Sequence, residues 1–223
     1  MDQVAERGVW LAPESVAAQR ADLATFVERA VRLDAAAVIR LRARPNGTLT
    51  AWTATGLDVL ASRVVTGVVR PDDLSVGADG LARGLAAVDD SGFVHPGFPM
   101  DSAWRGALPP ESGFVHLDDV PVRLLLDLAE RGAELAKEHG SAQGPPVSLL
   151  DQEVIRVSSA DVSVGVPMRC VFALTAMGFL PQSPEAVDAG EIVRVRMSKG
   201  WLRIDARFGS VYRRRGDPVL LLR

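Results

Sequence analysis

The sequence predicts an α+β protein built from two helix-plus-antiparallel-sheet units. Three observations carry that expectation. Apolar residues recur at helical spacing near the start of the chain, strictly alternating runs follow them, and almost the same alternating run returns near the end. The 223 residues are 48% hydrophobic, 24% charged and 5% aromatic, which is enough apolar material for one large or two small domains. Disordered, collagenous and disulfide-rich classes are excluded by the same composition, and the single cysteine, Cys170, leaves no intrachain disulfide.

Ser15 to Leu33 places Val16, Leu23, Phe26, Val27, Ala30 and Val31 near a 3.6-residue period, so it reads as an amphipathic helix. Ala37 to Arg44 alternates, with Arg40, Arg42 and Arg44 on one side and Ile39, Leu41 and Ala43 on the other. Pro45-Asn46-Gly47 is a turn signal, Thr48 to Thr55 resumes as a strand, Gly56 breaks it, and Leu57 to Val69 supplies a third strand. Residues 71–115 are rich in Gly, Pro, Asp and Ser and read as a connector with short local structure. Asp118 or Asp119 fits a helix N-cap, with Pro121 in the first turn of a helix that runs to His139 and stops at Gly140. Ser141 to Pro146 reads as a loop. Val147 to Val157 fits a short helix or a strand, and Val166 to Phe179 reads as a buried helix holding Cys170. Glu191–Ser198, Trp201–Phe208 and Ser210–Arg214 are three closing strands. The domain division that follows is 1–70, a connector at 71–116, and 117–223.

The two alternating runs are an internal repeat. Val38-Ile39-Arg40-Leu41-Arg42-Ala43 parallels Ile192-Val193-Arg194-Val195-Arg196-Met197, each run leading to a turn glycine, Gly47 or Gly200. An eight-residue strand follows each, with leucine second (Leu49, Leu202), and ends at Gly56 or Gly209. Two readings stay open. Hairpins share alternation and turn glycines through physics alone, or a helix–strand–strand–strand unit is duplicated about a pseudo-twofold axis. A shorter echo, Ser91-Gly92-Phe93-Val94-His95 against Ser112-Gly113-Phe114-Val115-His116, reads as coincidence or two similar turns.

Four stretches carry a resemblance. They are Leu108-Pro109-Pro110 with Gly113-Phe114; Asp118-Asp119-Val120-Pro121; Gly165-Val166-Pro167-Met168-Arg169 with Gly178-Phe179-Leu180; and Trp201-Leu202-Arg203 with Gly209-Ser210-Val211. Together they resemble an uncharacterised family of actinobacterial proteins, best over the C-terminal half. The resemblance implies no activity.

The chemistry expected of the sequence is that of a binding protein, not a catalyst. No phosphate-loop or nucleophile-elbow pattern occurs, and Gly77 to Gly84 lacks both the lysine and the dinucleotide spacing. His95 with Asp101, or His116 with Asp118 and Asp119, are histidine–carboxylate sets, but at spacings that favour structural roles over a metal. Asp72-Asp73, Asp89-Asp90 and Asp118-Asp119 sit where turns and caps want aspartate. Neither a cofactor nor a metal is expected.

From Glu191 to Arg223 nine basic residues face three acids, a net of +6; with the whole chain at −3, residues 1–190 carry −9. The candidate binding residues lie in this basic tail: Arg194, Arg196, Arg203 and Arg207, with Trp201 and Tyr212 as aromatic neighbours. A solvated or dimer-facing sheet surface explains the same residues. Met1 to Arg7 carries no basic stretch followed by an apolar run, and no membrane span is visible, so a cytoplasmic protein is expected. The function expected is a non-catalytic, protein-binding or chaperone-like scaffold, partnered by another protein or by itself as a homodimer. The alternative is a nucleic-acid or anionic-ligand binder using the arginine-rich sheet face.

Overall fold

The computed structural model describes residues 7–12, 16–140, 144–159 and 162–216. Ser15, expected to open the first helix, and residues 141–143 of the expected loop lie outside that set. The chain forms two compact units, Met1–Gly56 with Ser62–Ala107, and Leu57–Ala61 with Leu108–Arg223.

Unit 1 runs β1 (Gly8–Leu11), α1 (Val16–Leu33), β2 (Val38–Arg44), β3 (Thr48–Ala54), β4 (Leu60–Arg70), β5 (Asp73–Gly77), α2 (Ala78–Ala86) and β6 (Phe93–Val94). Its sheet is ordered β5-β2-β3-β4, and β1 pairs antiparallel with both β4 and β6. Leu23, Phe26, Val27 and Ala30 of α1 and Leu81 and Leu85 of α2 are buried, as are Ile39, Leu41, Leu49, Leu74 and Val76 of the strands. Periodicity and alternation thus meet in one core.

Unit 2 runs β7 (Val115–Pro121), α3 (Val122–His139), α4 (Val147–Asp151), β8 (Glu153–Ser159), β9 (Val162–Pro167), α5 (Met168–Ala176), β10 (Ile192–Ser198), β11 (Trp201–Ala206) and β12 (Gly209–Arg214). Its main sheet is ordered β12-β11-β10-β7, and β8 and β9 form a separate pair. Helices α3 and α5 pack together. Gly132 of α3 lets them close, because a Cβ there would lie 2.9 Å from Met168 and Phe172 of α5. The expected α+β class is correct.

A four-fold pattern underlies both units. β1–α1–β2 and β5–α2–β6 exchange strands, since β5 pairs with β2 and β1 with β6. In unit 2, β7 pairs with β10 and β9 with β8 in the same manner, around α3 and α5. Backbone hydrogen bonds repeat with the pairing. The N–H groups of Leu11, Ala78, Met168 and Val122 donate to the carbonyls of Gly92, Ala37, Gln152 and Glu191, at 2.9, 2.9, 2.9 and 3.0 Å. Each acceptor is the residue immediately before the strand that follows the partner helix. Ala78, Val122 and Met168 are the first residues of their helices, so one of the N–H groups that a helix start leaves free is satisfied by the fold itself.

The two long hairpins correspond pair by pair. Arg40↔Trp52, Leu41↔Ala51, Arg42↔Thr50 and Ala43↔Leu49 match Arg194↔Asp205, Val195↔Ile204, Arg196↔Arg203 and Met197↔Leu202. The one-residue difference falls in the turn, where Pro45-Asn46-Gly47 faces Lys199-Gly200. Asn46 and Gly47 take φ of 64° and 66°, and Gly200 does not enter that region, so the turn glycines match in place and differ in conformation.

Three sequence expectations need correction. Asp118, Asp119 and Pro121 belong to strand β7, and α3 has no side-chain cap. Residues 71–115 are no mere connector, because β5 and α2 contribute buried Leu74, Val76, Leu81 and Leu85. The helix expected over Val166 to Phe179 is shorter, with Val166 and Pro167 closing β9. Val147 to Val157, undecided in sequence, is a helix followed by a strand. The glycines of the two echo segments, Gly92 and Gly113, share a positive φ, 74° and 82°.

Candidate functional site

The strand registers place the candidate residues of unit 2 in rows across its sheet. One row reads Asp119, Arg194, Asp205, Ser210 across β7, β10, β11 and β12, and the next reads His116, Arg196, Arg203, Tyr212. These side chains alternate with Val193, Val195, Leu202 and Ile204, which are buried, so the two rows lie on the opposite face of the sheet. Trp201 shares that face, two residues before Arg203, and is half-buried.

The arginines are already engaged. Arg203 Nε donates to Asp205 Oδ1 at 2.7 Å, and Arg196 Nη1 lies 3.3 Å from Asp205 Oδ2. Ser210 Oγ donates to the same carboxylate. Arg194 Nε is 4.0 Å from Asp119, whose Oδ1 is 2.8 Å from His116 Nε2. Above the sheet the Arg203 guanidinium sits 5.6 Å from the Phe114 ring and 5.4 Å from that of Tyr212, a cation between two π faces. Tyr212 is only 6% exposed, so it is a wall of this arrangement and not a free stacking surface. Arg207 stands apart, beyond the end of β11, 3.7 Å from both Asp188 and Glu191.

Unit 1 builds the same kind of face from Arg40 of the alternating run, from Asp73 and Asp101, to which the sequence reading assigns structural roles, and from Trp104, which it does not single out. Arg40, the counterpart of Arg194, donates from Nε and Nη2 to the two oxygens of Asp73, each at 2.7 Å, and lies 5.8 Å from the Trp104 ring. The bond to Asp73 raises the Arg40 pKa above its usual value. Asp101 accepts the Ser75 N–H at 2.7 Å. A cavity of about 330 Å³ is lined by Arg40, Asp73, Ser75, Asp101, Trp104 and Gly106. Asp73, Asp101 and Trp104 lie in the Gly/Pro-rich stretch, where no periodic signal marked them.

Exposed apolar side chains are scattered over both units. In unit 1, Phe98 is 89% exposed and Met100 37% exposed. In unit 2, Leu135, His139, Pro146, Ser148, Leu149 and Gln152 line a cavity of 290 Å³ between α3 and α4. Among the described residues no group of three or more His, Cys, Asp or Glu side chains is placed to hold a metal ion, and no helix is long and apolar enough to cross a membrane.

Residues 5–106 match a domain of unknown function, DUF8010, and residues 109–218 match another, DUF8185. The expectation of an uncharacterised family agrees with both matches. No curated protein matches in sequence. The fold is that of DNA polymerase sliding clamps. A clamp from Bacillus subtilis gives a TM-score of 0.59 at 11% identity, covering 95% of this chain and 65% of that one. The beta subunit from Streptococcus pyogenes gives 0.56 at 12%, covering 95% and 65%, and pol III beta from Caulobacter crescentus 0.56 at 12%, covering 94% and 65%. The chain therefore spans about two thirds of these neighbours' length.

Proposed function

We propose that the protein is a non-catalytic cytoplasmic scaffold of sliding-clamp architecture that binds other proteins and associates with itself. The observation that carries this reading is the match of both units in one alignment, 94–96% of the chain, to proteins described as sliding clamps. The side-chain geometry supports it. On the unit 2 sheet face, Arg194, Arg196, Arg203 and Trp201 present a surface of paired charges beside an aromatic edge, with Arg207 at its margin. Such a surface suits a protein partner, since Arg and Trp are favoured where buried anchors carry binding energy.

The second reading, a nucleic-acid binder, rests on the +6 net charge from Glu191 to Arg223. It is disfavoured by the pairing of Arg194, Arg196, Arg203 and Arg207 with carboxylates. The helices offer no replacement: α1 carries three arginines and two acids, α2 one of each, and α3 three basic and four acidic residues. Duplex phosphates demand an excess of positive charge.

A photo-crosslinker substituted at Trp201 tests the proposal. The expected result is a discrete protein adduct in cell extract that unlabelled native chain competes away. No competed adduct, together with tight binding of labelled duplex or single-stranded DNA, would replace the first reading by the second.

A further inference from the structure

The polar cavity of unit 1 is walled by a segment tied to the edge of the sheet. Pro99 bridges to Val76 of β5, and the Met100 N–H donates to the Ser75 carbonyl at 2.8 Å. Asp101 Oδ1 accepts the Ser75 N–H, and a single turn over Asp101–Ala103 closes with the Ala103 N–H on the Met100 carbonyl at 2.9 Å. The Trp104 indole N–H donates to the Gly106 carbonyl at 3.2 Å, which fixes the ring. Groups held in this way lose little freedom when a ligand arrives.

Two opposite charges line this space without closing on each other. Arg40 donates from Nε and Nη2 to Asp73, and its Nη1 has no hydrogen-bond partner among the described residues. Asp101 Oδ2 has none among them either. The Arg40 pKa is raised first by the bond to Asp73 and also, through space, by Asp101, yet among the described residues no ion pair joins Arg40 to Asp101. Ser75, 2% exposed, lines the same cavity, and its Oγ makes no hydrogen bond among the described residues. Arg42 Nε, 3.4 Å from Asp73, brings the local balance to two arginines against two carboxylates. A free cation entering here would meet Arg40, and a free anion would meet Asp101. The complement is an uncharged ligand that donates to one and accepts from the other. Adjacent hydroxyls do this, because each donates once and accepts twice. At about 330 Å³ the cavity is at the small end for a ligand site and has room for one ring. An aromatic wall beside convergent polar groups suits a ring with an apolar face and a hydroxyl edge.

We propose that the unit 1 cavity binds the vicinal diol of a sugar ring. One hydroxyl donates to Asp101 Oδ2, its neighbour accepts from Arg40 Nη1, Ser75 Oγ bonds to either, and the C–H face of the ring lies on Trp104. The diol belongs to a free monosaccharide or to the ribose of a nucleoside. This site goes beyond the protein-binding reading and does not depend on it.

The test is a titration of the full chain, isotope-labelled at its tryptophan nitrogens and followed through its four indole N–H signals by NMR. Trp104→Phe assigns the Trp104 signal. D-glucose probes the free sugar and uridine the nucleoside, with uracil as the base alone and methylammonium and acetate as ions. The expected result is a saturable shift of the Trp104 signal with glucose, uridine or both, and no response to uracil or to either ion. A response to one diol and not the other names its source. Asp101→Asn keeps an acceptor for the Ser75 N–H, and the signals of Trp10, Trp52 and Trp201 report that the fold is retained. It should weaken binding at least about ten-fold, since a neutral amide replaces a charged acceptor. No saturable shift with either diol, an equal response to uracil or to an ion, or an affinity unchanged in Asp101→Asn would each overturn the site.

Discussion

Cys170 faces the interior from α5 with 1% of its surface exposed, and burial pushes its pKa up to about 12 against Arg213 and Arg169, which pull it down. Thiolate is therefore negligible at neutral pH, and a thiol reagent should label the native protein slowly and the denatured protein fast. The raised pKa also has a stability consequence. The native state keeps the proton that the unfolded chain gives up above its value of 9.0, so stability is level below about pH 9 and falls as pH rises toward 12. Denaturant midpoints across that window should show the fall, and Cys170→Ala should flatten it. The neighbouring Arg169, 7% exposed, donates to the Leu57 carbonyl at 2.8 Å and to Asp151, which also accepts from Arg213 at 3.2 Å. Arg169→Met should cost about 2 kcal/mol in urea unfolding, less than a fully buried pair because Asp151 is 47% exposed and keeps Arg213. Cys170 was legible from its apolar neighbours. The role of Arg169 was not, because its partners lie 18 and 112 positions away.

The hairpins could be read from sequence because alternation and turn glycines are local signals that one sheet face enforces. Glycine misled where it serves close approach instead of a turn. Gly80 and Gly84 gave residues 71–115 the look of a flexible connector, yet both are in α2, facing the 95–97 segment. Their substitutions should have opposite signs. A Cβ on Gly80 meets nothing nearer than 3.5 Å, so Gly80→Ala should gain up to about 1 kcal/mol of helix propensity. On Gly84 it would run into the His95 carbonyl, and Gly84→Ala should lose about 1–2 kcal/mol despite the same propensity gain. Thermal or urea denaturation of the two variants decides it. Strand β7 was hidden for another reason: Asp118 and Asp119 are residues a helix cap also favours, and only their pairing with β10 reveals the strand.

At the scale of the molecule, the charge asymmetry seen in sequence disappears. Counted over the two compact units, formal charges are −1 for the first and −2 for the second, in place of −9 and +6 on either side of residue 190. Arginines of the basic tail pair with acids of their own unit that precede residue 190, among them Asp119, Asp151 and Asp188. Nucleic-acid affinity should accordingly be weak, and its dependence on salt shallow. Titration of labelled DNA at two ionic strengths checks this; a slope of several counterions, flattened by replacing Arg194, Arg196, Arg203 and Arg207, would refute it. Half of the four-fold strand exchange escaped the sequence altogether. The repeats ending in β6 and β8 lack the long hairpin, and β6 has two residues, too few for a pattern to register.

The joints between strand and helix constrain how the chain can vary in length. No residue separates β5 from α2, β7 from α3, or β9 from α5. One inserted residue at any of these joints would turn the following helix by about 100° or force it out of step with the carbonyl that holds its first N–H. Leu81 and Leu85, or Leu125 and Ala129, would then swing away from the core. The turn at Pro45-Asn46-Gly47 has no such constraint, since its counterpart at Lys199-Gly200 is one residue shorter and leaves the flanking register intact. Insertions scanned along the gene should be lethal to folding at 77/78, 121/122 and 167/168 and silent in either hairpin turn, and natural relatives should differ in length at those turns before they differ at the joints.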